Sequence, residues 1–126
     1  MDRIDVTNLN RQFLFRKKDV QRYKAEVAAE FIMDRCPEVK ITYYTKPVQE
    51  FELSFFAKFT VIIAGLDNVE ARRWINNAVH KLVKFDDETD EPIVETILID
   101  GGTEGFSGQA RVIWPYKDAC YECTLS

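Results

Sequence analysis

Apolar residues recur along the chain with two different periods, and the switch from one to the other sets the expected order of elements. Ala25, Val27, Ala28, Phe31 and Ile32 fall at helical spacing and predict a helix over 22–35. Cys36-Pro37 ends it, because the residue before a proline is pushed out of the helical region. Residues 39–44 are rich in β-branched and aromatic side chains and predict a strand. A short helix is expected over 53–58. Thr60-Val61-Ile62-Ile63-Ala64 is an unbroken apolar run, the mark of a strand buried on both faces of a parallel sheet. The clearest periodicity follows: Ala71, Trp74, Ile75, Ala78, Val79, Leu82 and Val83 share one helix face. The acidic stretch 86–92 reads as a solvated surface linker. A strand is expected over 95–100, ending in Gly101-Gly102, and 106–115 alternates as a further extended segment. Strands alternating with helices imply an α/β fold with a largely parallel sheet, whose ligands bind at the carboxyl ends of strands. Asp67 and Asp100-Gly101 fall at such ends.

Length and charge narrow the possibilities. With 126 residues the chain suits one domain, and its net charge of -4 argues against nucleic acid or an anionic membrane as partner. No apolar run reaches the ~20 residues of a membrane span, and no signal peptide is visible at the start. The cysteines, Cys36, Cys120 and Cys123, are odd in number with one close pair, which fits a reducing compartment, cytoplasm or nucleus, and a metal half-site better than a disulfide framework.

Four places carry chemistry. The loop holding Asp2, Asn8, Asn10, Arg11 and Gln12 runs into Phe13-Leu14-Phe15, an apolar anchor that would hold so polar a segment in place. Lys24 opens the first helix, where a cation opposes the helix dipole by ~0.3–1 kcal/mol. It is either a solvated surface lysine or a partner for an anion docked at the helix end. Asp67 is either the helix N-cap, in a capping box with Glu70, or a carboxylate for a phosphate-bound magnesium, and the two roles compete for the same oxygens. Cys120-Tyr121-Glu122-Cys123 is half of a tetrahedral zinc site. His80 lies within the helical pattern and reads as packed or exposed rather than as a ligand; Cys36 reads as a small apolar residue. The two missing zinc ligands are expected from sequence outside this chain.

In this order, Asp2, Asn8-Leu9-Asn10-Arg11-Gln12, Lys24, Gly65-Leu66-Asp67-Asn68 and Cys120-x-x-Cys123 resemble the ThiF-like adenylation core of the ubiquitin-activating enzyme superfamily. Arg16-Lys17-Lys18-Asp19, Ala71-Arg72-Arg73-Trp74-Ile75-Asn76 and Asp100-Gly101-Gly102-Thr103-Glu104-Gly105-Phe106 narrow the resemblance to the catalytic subunits of neddylation-activating enzymes. The resemblance implies a Rossmann-like fold that adenylates the C-terminal glycine of a ubiquitin-like modifier with ATP before thioester transfer. It implies that Arg11 and Lys24 neutralise phosphate charge and that Asp67 holds Mg2+. Asp2, Asn8, Gln12 and Leu66 would line the nucleotide, and Arg111 would inspect the modifier's tail, disfavouring an arginine there. Cys120 and Cys123 would hold structural Zn2+. The implied partners are the modifier of the neddylation pathway, a regulatory subunit as heterodimer, and a downstream conjugating enzyme. Two alternatives stand beside this: a SUMO-activating catalytic subunit, sharing the loop and the knuckle, and a non-catalytic truncated partner-binding module.

The departures from the family pattern shape a further expectation. No G-x-G-x-x-G is present, and the family's ribose-binding acid would precede Asp2. Its thioester cysteine and second zinc pair would follow Ser126, so none of the three cysteines here is the nucleophile. Residues 1–126 are therefore expected to be a partial adenylation domain, truncated at both ends, with first strand and phosphate loop missing. Alone, it is expected to fold poorly and to be inactive.

Overall fold

The computed structural model of the chain describes residues 1–125, Glu104 by its backbone only. Two compact units are present, Met1–Pro47 and Val48–Ser126.

The first unit is built around helix α1, Lys24–Arg35, with short 3-10 turns at Val6–Asn8 and Lys17–Asp19. Ile4, Phe15 and Val27 are buried together, with Leu9 and Leu14 packed against them. The helix begins two residues later than its apolar spacing suggests, because the chain before it is paired with the N-terminal segment. The Ile4 N–H donates to Arg22 O (2.9 Å), the Gln21 N–H to Ile4 O (2.8 Å) and the Lys24 N–H to Asp2 O (2.9 Å). Gln21 takes the left-handed conformation, φ 73°, to turn the chain into this pairing. At the far end Cys36 closes the helix, its N–H donating to Ile32 O at 2.8 Å. The strand expected over 39–44 does not form: these residues make no ladder with any described residue, and Val39, Tyr43 and Tyr44 stand exposed. β-propensity favours an extended backbone, but a strand exists only where a neighbouring edge takes up its N–H and C=O groups.

The second unit contains α2 (Leu53–Phe56), β1 (Val61–Ala64), α3 (Val69–Lys81), β2 (Lys84–Phe85), β3 (Pro92–Ile93), β4 (Ile97–Glu104) and β5 (Ser107–Ile113). Its main sheet has the order β1-β4-β5 and is mixed. β1 runs parallel to β4, pairing Ala64 with Asp100, and β5 returns antiparallel, pairing Asp100 with Arg111. The return is a two-residue turn, Gly105-Phe106, whose glycine has φ 59°, a value that costs any side chain but suits the twist of a hairpin. β1 differs from expectation in its burial. Ala64 is buried, but Ile63 is 78% exposed, because β1 is an edge strand and α3 covers only one face of this sheet. The acidic stretch is likewise more than a linker. It is the turn of the β2–β3 ladder, where Asp86 Oδ1 accepts the N–H groups of Thr89 (2.8 Å) and Glu88 (3.0 Å). Those bonds, Thr89 first, hold the Asp86 carboxyl below its usual range.

One face of α3 supplies the core. Ala71, Ile75, Ala78 and Val79 are buried, and Ile75, Ala78 and Val79 pack in one cluster with Ala64, Leu98, Ile113, Phe56 and Tyr121. No helix among the described residues is long and apolar enough to cross a membrane. Ile75→Ala is expected to destabilise the protein by about 2–5 kcal/mol through lost transfer energy and a residual cavity. Val69→Ala, on the exposed side of the first turn, should change stability by about 0.5 kcal/mol or less. Urea midpoints compare the two, and equal shifts would contradict the sidedness of α3.

Candidate functional site

The polar loop of the first unit is shaped by a reciprocal cap. The Asp5 carboxylate accepts the Thr7 N–H (3.2 Å), and Asn8 Oδ1 accepts the Asp5 N–H (2.9 Å). Asn8 is buried, so its side chain builds the loop, in contrast to the ligand-facing position expected of it. The anchor is Phe15 rather than Phe13: Phe15 is 5% exposed, whereas Phe13 is 76% exposed and meets Phe31 edge-on. Held in this way, the loop presents Asn10 and Arg11 to solvent and leaves Gln12 half-buried.

Lys24 is the first residue of α1. Tyr23 precedes it as an N-cap with no side-chain hydrogen bond, so the first-turn N–H groups are not satisfied from that position. Lys24 Nζ lies 4.0 Å from Asp2 Oδ2. Both residues, with Tyr23, Tyr44, Thr45 and Lys46, line a cleft of about 260 Å3. The Lys24 N–H is taken by Asp2 O, but no side chain caps the helix, and a cation at such a helix start in a cleft is an arrangement suited to an anion, phosphate above all.

In the second unit Gly65-Leu66-Asp67-Asn68 joins β1 to α3. The competition at the helix start is resolved against Asp67. Asn68 is the N-cap, extended at φ -132° and ψ 152°, with its Oδ1 accepting the Ala71 N–H at 2.7 Å. Asp67 is exposed, with one oxygen 3.4 Å from the Asn68 amide nitrogen. Its carboxylate stands at the carboxyl end of β1, free of the capping role.

The residue that fixes this corner is Arg72, to which the sequence motif assigned no role. Its Nε donates to Leu66 O (3.0 Å) and its Nη2 to Gly101 O (2.9 Å), tying the loop after β1 to the middle of β4. Arg72 Nε also lies 3.6 Å from the buried carboxylate of Asp100, whose Oδ1 has no hydrogen-bond partner among the described residues. Gly102 is what makes room: a Cβ there would fall on the Arg72 guanidinium. The sequence alone puts Gly101-Gly102 at the strand's end; the structure sets them inside β4, where paired glycines mark a close approach. Arg111, half-buried opposite Asp100, lines with it, Gln109, Tyr121 and Thr124 a gap of about 10 Å3. That is roughly the space of one water.

The sulfurs of Cys120 and Cys123 lie 3.5 Å apart. A disulfide needs about 2.05 Å. Two thiolates on a tetrahedral zinc, each at about 2.3 Å from the metal, would be separated by about 3.8 Å, so the pair fits two corners of such a site. Burial pushes the Cys120 thiol up, but the Cys123 N–H and thiol, the Asn76 amide and the Glu122 N–H outweigh it and hold the group below its usual range. Among the described residues no third Cys, His, Asp or Glu joins the pair. His80 is a packed histidine, its Nδ1 2.7 Å from Asn76 O and its ring edge-on to Tyr116.

The ThiF family's sequence pattern matches residues 1–126. The chain is 52% identical over 126 residues to the NEDD8-activating enzyme E1 catalytic subunit of Dictyostelium discoideum, and 47% identical over 126 residues to that of Drosophila melanogaster. In both cases 99% of this chain and 28% of the relative are covered. It is 36% identical over 125 residues to the SUMO-activating enzyme subunit uba-2 of Caenorhabditis elegans, covering 98% of this chain and 19% of that protein. Among solved structures, the crystal structure of E. coli MccB with ATP matches with a TM-score of 0.72 at 22% identity, covering 98% of this chain and 34% of that one. At that identity the likeness is one of fold. The chain spans 28% of the length of the two NEDD8-activating relatives, and over its own length it belongs to the ThiF family.

Proposed function

We propose that this chain is part of an ATP-dependent activating enzyme that adenylates the C-terminal glycine of a NEDD8-type ubiquitin-like modifier. Residues 1–126 act in this reading as a partial adenylation domain. The observation that carries it is the corner after β1: Asn68 caps α3 and Arg72 grips Leu66, which leaves the Asp67 carboxylate exposed and out of the capping role.

In the reaction an oxygen of the modifier's terminal carboxylate bonds to the α-phosphorus of ATP, the bond from that phosphorus to the bridging oxygen breaks, and pyrophosphate leaves. The difficulty is that one anion attacks another. Arg11 and Lys24 counter it by donating to phosphate oxygens, contacts that are typically worth ~3–4 kcal/mol in the transition state where preorganised. Asp67 is the residue that would hold Mg2+, which when bound neutralises phosphate charge. Asp2, beside Lys24, and Gln12 orient the nucleotide, and Leu66 is a further contact for it. Asn8 serves by holding the loop in shape. Arg111, fixed on β5, meets the modifier's tail and disfavours a tail arginine by like charge. Cys120 and Cys123 supply two ligands to a structural Zn2+ completed from elsewhere in the protein.

The enzyme would work with a regulatory subunit and pass the modifier to a conjugating enzyme, in cytoplasm or nucleus. A SUMO-activating role is the second reading. It is supported by the 36% identity to the C. elegans subunit and disfavoured by the 47% and 52% identity to the two NEDD8-activating relatives. A non-catalytic partner-binding role is the third, and nucleotide binding discriminates it.

Two outcomes test the proposal in the full-length enzyme. Lys24→Ala is expected to lower ATP–pyrophosphate exchange by about two orders of magnitude, in line with loss of a preorganised donor; unchanged exchange would remove Lys24 from the site. Arg111→Ala is expected to raise single-turnover adenylation of a modifier with a tail arginine about tenfold or more, while NEDD8 adenylation stays within about twofold, since relief of like charge acts on the wrong partner alone. An unaltered ratio between the two modifiers would make Arg111 an ordinary strand residue.

A further inference from the structure

β1 pairs with β4 only as far as Asp100, so the rest of the β4–β5 hairpin runs on past the sheet as a two-stranded ribbon. Alternate residues of β5 share one face. On the face turned to α3 the row reads Ser107, Gln109, Arg111 and Ile113, and it changes character along its length. Ile113 is buried in the core, whereas Gln109 and Ser107 are exposed. Gln109 is paired across the ladder with Gly102, so no cross-strand side chain stands opposite its amide. That amide makes no hydrogen bond to any described residue. Gln109 also lines two spaces at once. One is the gap it shares with Asp100 and Arg111; the other is a cleft of about 300 Å3 walled by Arg72, Gly102, Thr103, Ser107 and Gly108. The two spaces share this side chain as a wall and follow the same row of β5.

We infer that this row is a binding strip for the modifier's C-terminal tail in extended form, and that Gln109 meets the tail residue two positions away from the one met by Arg111. The physical reason is spacing. Side chains two apart on a strand stand about 6.8 Å apart, and an extended peptide lying along the row repeats its own side chains at the same interval. A contact with one residue of the peptide at Arg111 therefore places the next but one at Gln109. The chemistry of the two positions differs. The guanidinium repels a cation, whereas the carboxamide is uncharged and offers both donor and acceptor, so it bonds a main chain and tolerates either charge. A cleft at the small end of ligand sites, with glycine at two of its positions, suits a peptide of little bulk, such as one ending in glycine. The inference rests on the reading of Arg111 as a contact for the modifier's tail and adds the register in which the tail lies.

The test uses the full-length enzyme and NEDD8 carrying arginine or alanine at each position of its tail in turn. Single-turnover adenylation gives an arginine-to-alanine rate ratio for every position, and unfolded enzyme cancels in the ratio. Gln109→Glu and Gln109→Arg, both at an exposed position, are compared with the parent and with Arg111→Ala. The expected result is a ratio that rises at least about tenfold in Gln109→Glu and falls at least about tenfold in Gln109→Arg, at one tail position only, two residues from the position where Arg111→Ala raises it. Gln109 variants that leave every ratio within about twofold, while Arg111→Ala raises one, would overturn the role of Gln109 alone. A change at any other position, or one spread evenly over the tail, would overturn the register. If Arg111→Ala too leaves every ratio unaltered, the tail does not lie on this face, and the reading of Arg111 falls together with the inference.

Discussion

The second unit depends on one largely buried cation. The Arg72 guanidinium reaches from α3 across the open space left by Gly102 and holds two carbonyls on separate segments, Leu66 after β1 and Gly101 in β4. Asp100 supplies the nearby opposite charge, 3.6 Å from Nε. A charge stripped of water is unfavourable unless paired and hydrogen-bonded, so removal of either partner leaves the other to bear that penalty. A side chain at residue 102 would displace the guanidinium from its two carbonyls.

From that clamp the chemistry of the corner follows. With Leu66 held and Asn68 engaged in capping, the intervening Asp67 is fixed at both flanks while its carboxylate remains exposed. The same helix carries Asn76 one turn further on, its buried Oδ1 accepting the Tyr121 N–H of the cysteine knuckle. α3 is thus amphipathic in two senses: its apolar stripe makes the core, and polar side chains sunk among that stripe hold the segments where ligands are proposed to bind. The first unit follows a similar logic. Asn8 and Asp5 are taken up in shaping the loop, which leaves Arg11 presented, and Lys24 opens a helix that no side chain caps.

Much of this was legible in the sequence, and the failures have physical causes. α1 and α3 were readable because only a helix with one covered face repeats its apolar positions every 3.6 residues, and the Cys120–Cys123 spacing placed its sulfurs together as expected. The apolar run of β1 spoke for burial on both faces, yet Ile63 is exposed, since hydrophobicity records a preference for cover without supplying it. Residues 39–44 have strand composition and no ladder for the same reason. At the start of α3 two adjacent residues, Asp67 and Asn68, are both good N-caps; only the backbone angles decide, and they favour Asn68. The roles of Arg72 and Asn76 were missed because burial of a polar side chain cannot be read from a helical pattern. Legibility of the candidate site is likewise uneven. The polar loop, Lys24 and Asp67 stood out by residue type and position, whereas the burial of Asn8 in its reciprocal cap depends on a fold that composition does not reveal.

The central proposal is that the exposed Asp67 carboxylate, spared the capping role by Asn68, serves the adenylation step. The most direct measurement is ATP–pyrophosphate exchange by the full-length enzyme carrying Asp67→Asn, followed as magnesium is varied. Exchange is expected to fall at least about a hundredfold below the parent enzyme at low magnesium, with partial recovery as the ion is raised, in keeping with the loss of a metal-held charge contact. Exchange equal to the parent at every magnesium concentration would contradict the claim.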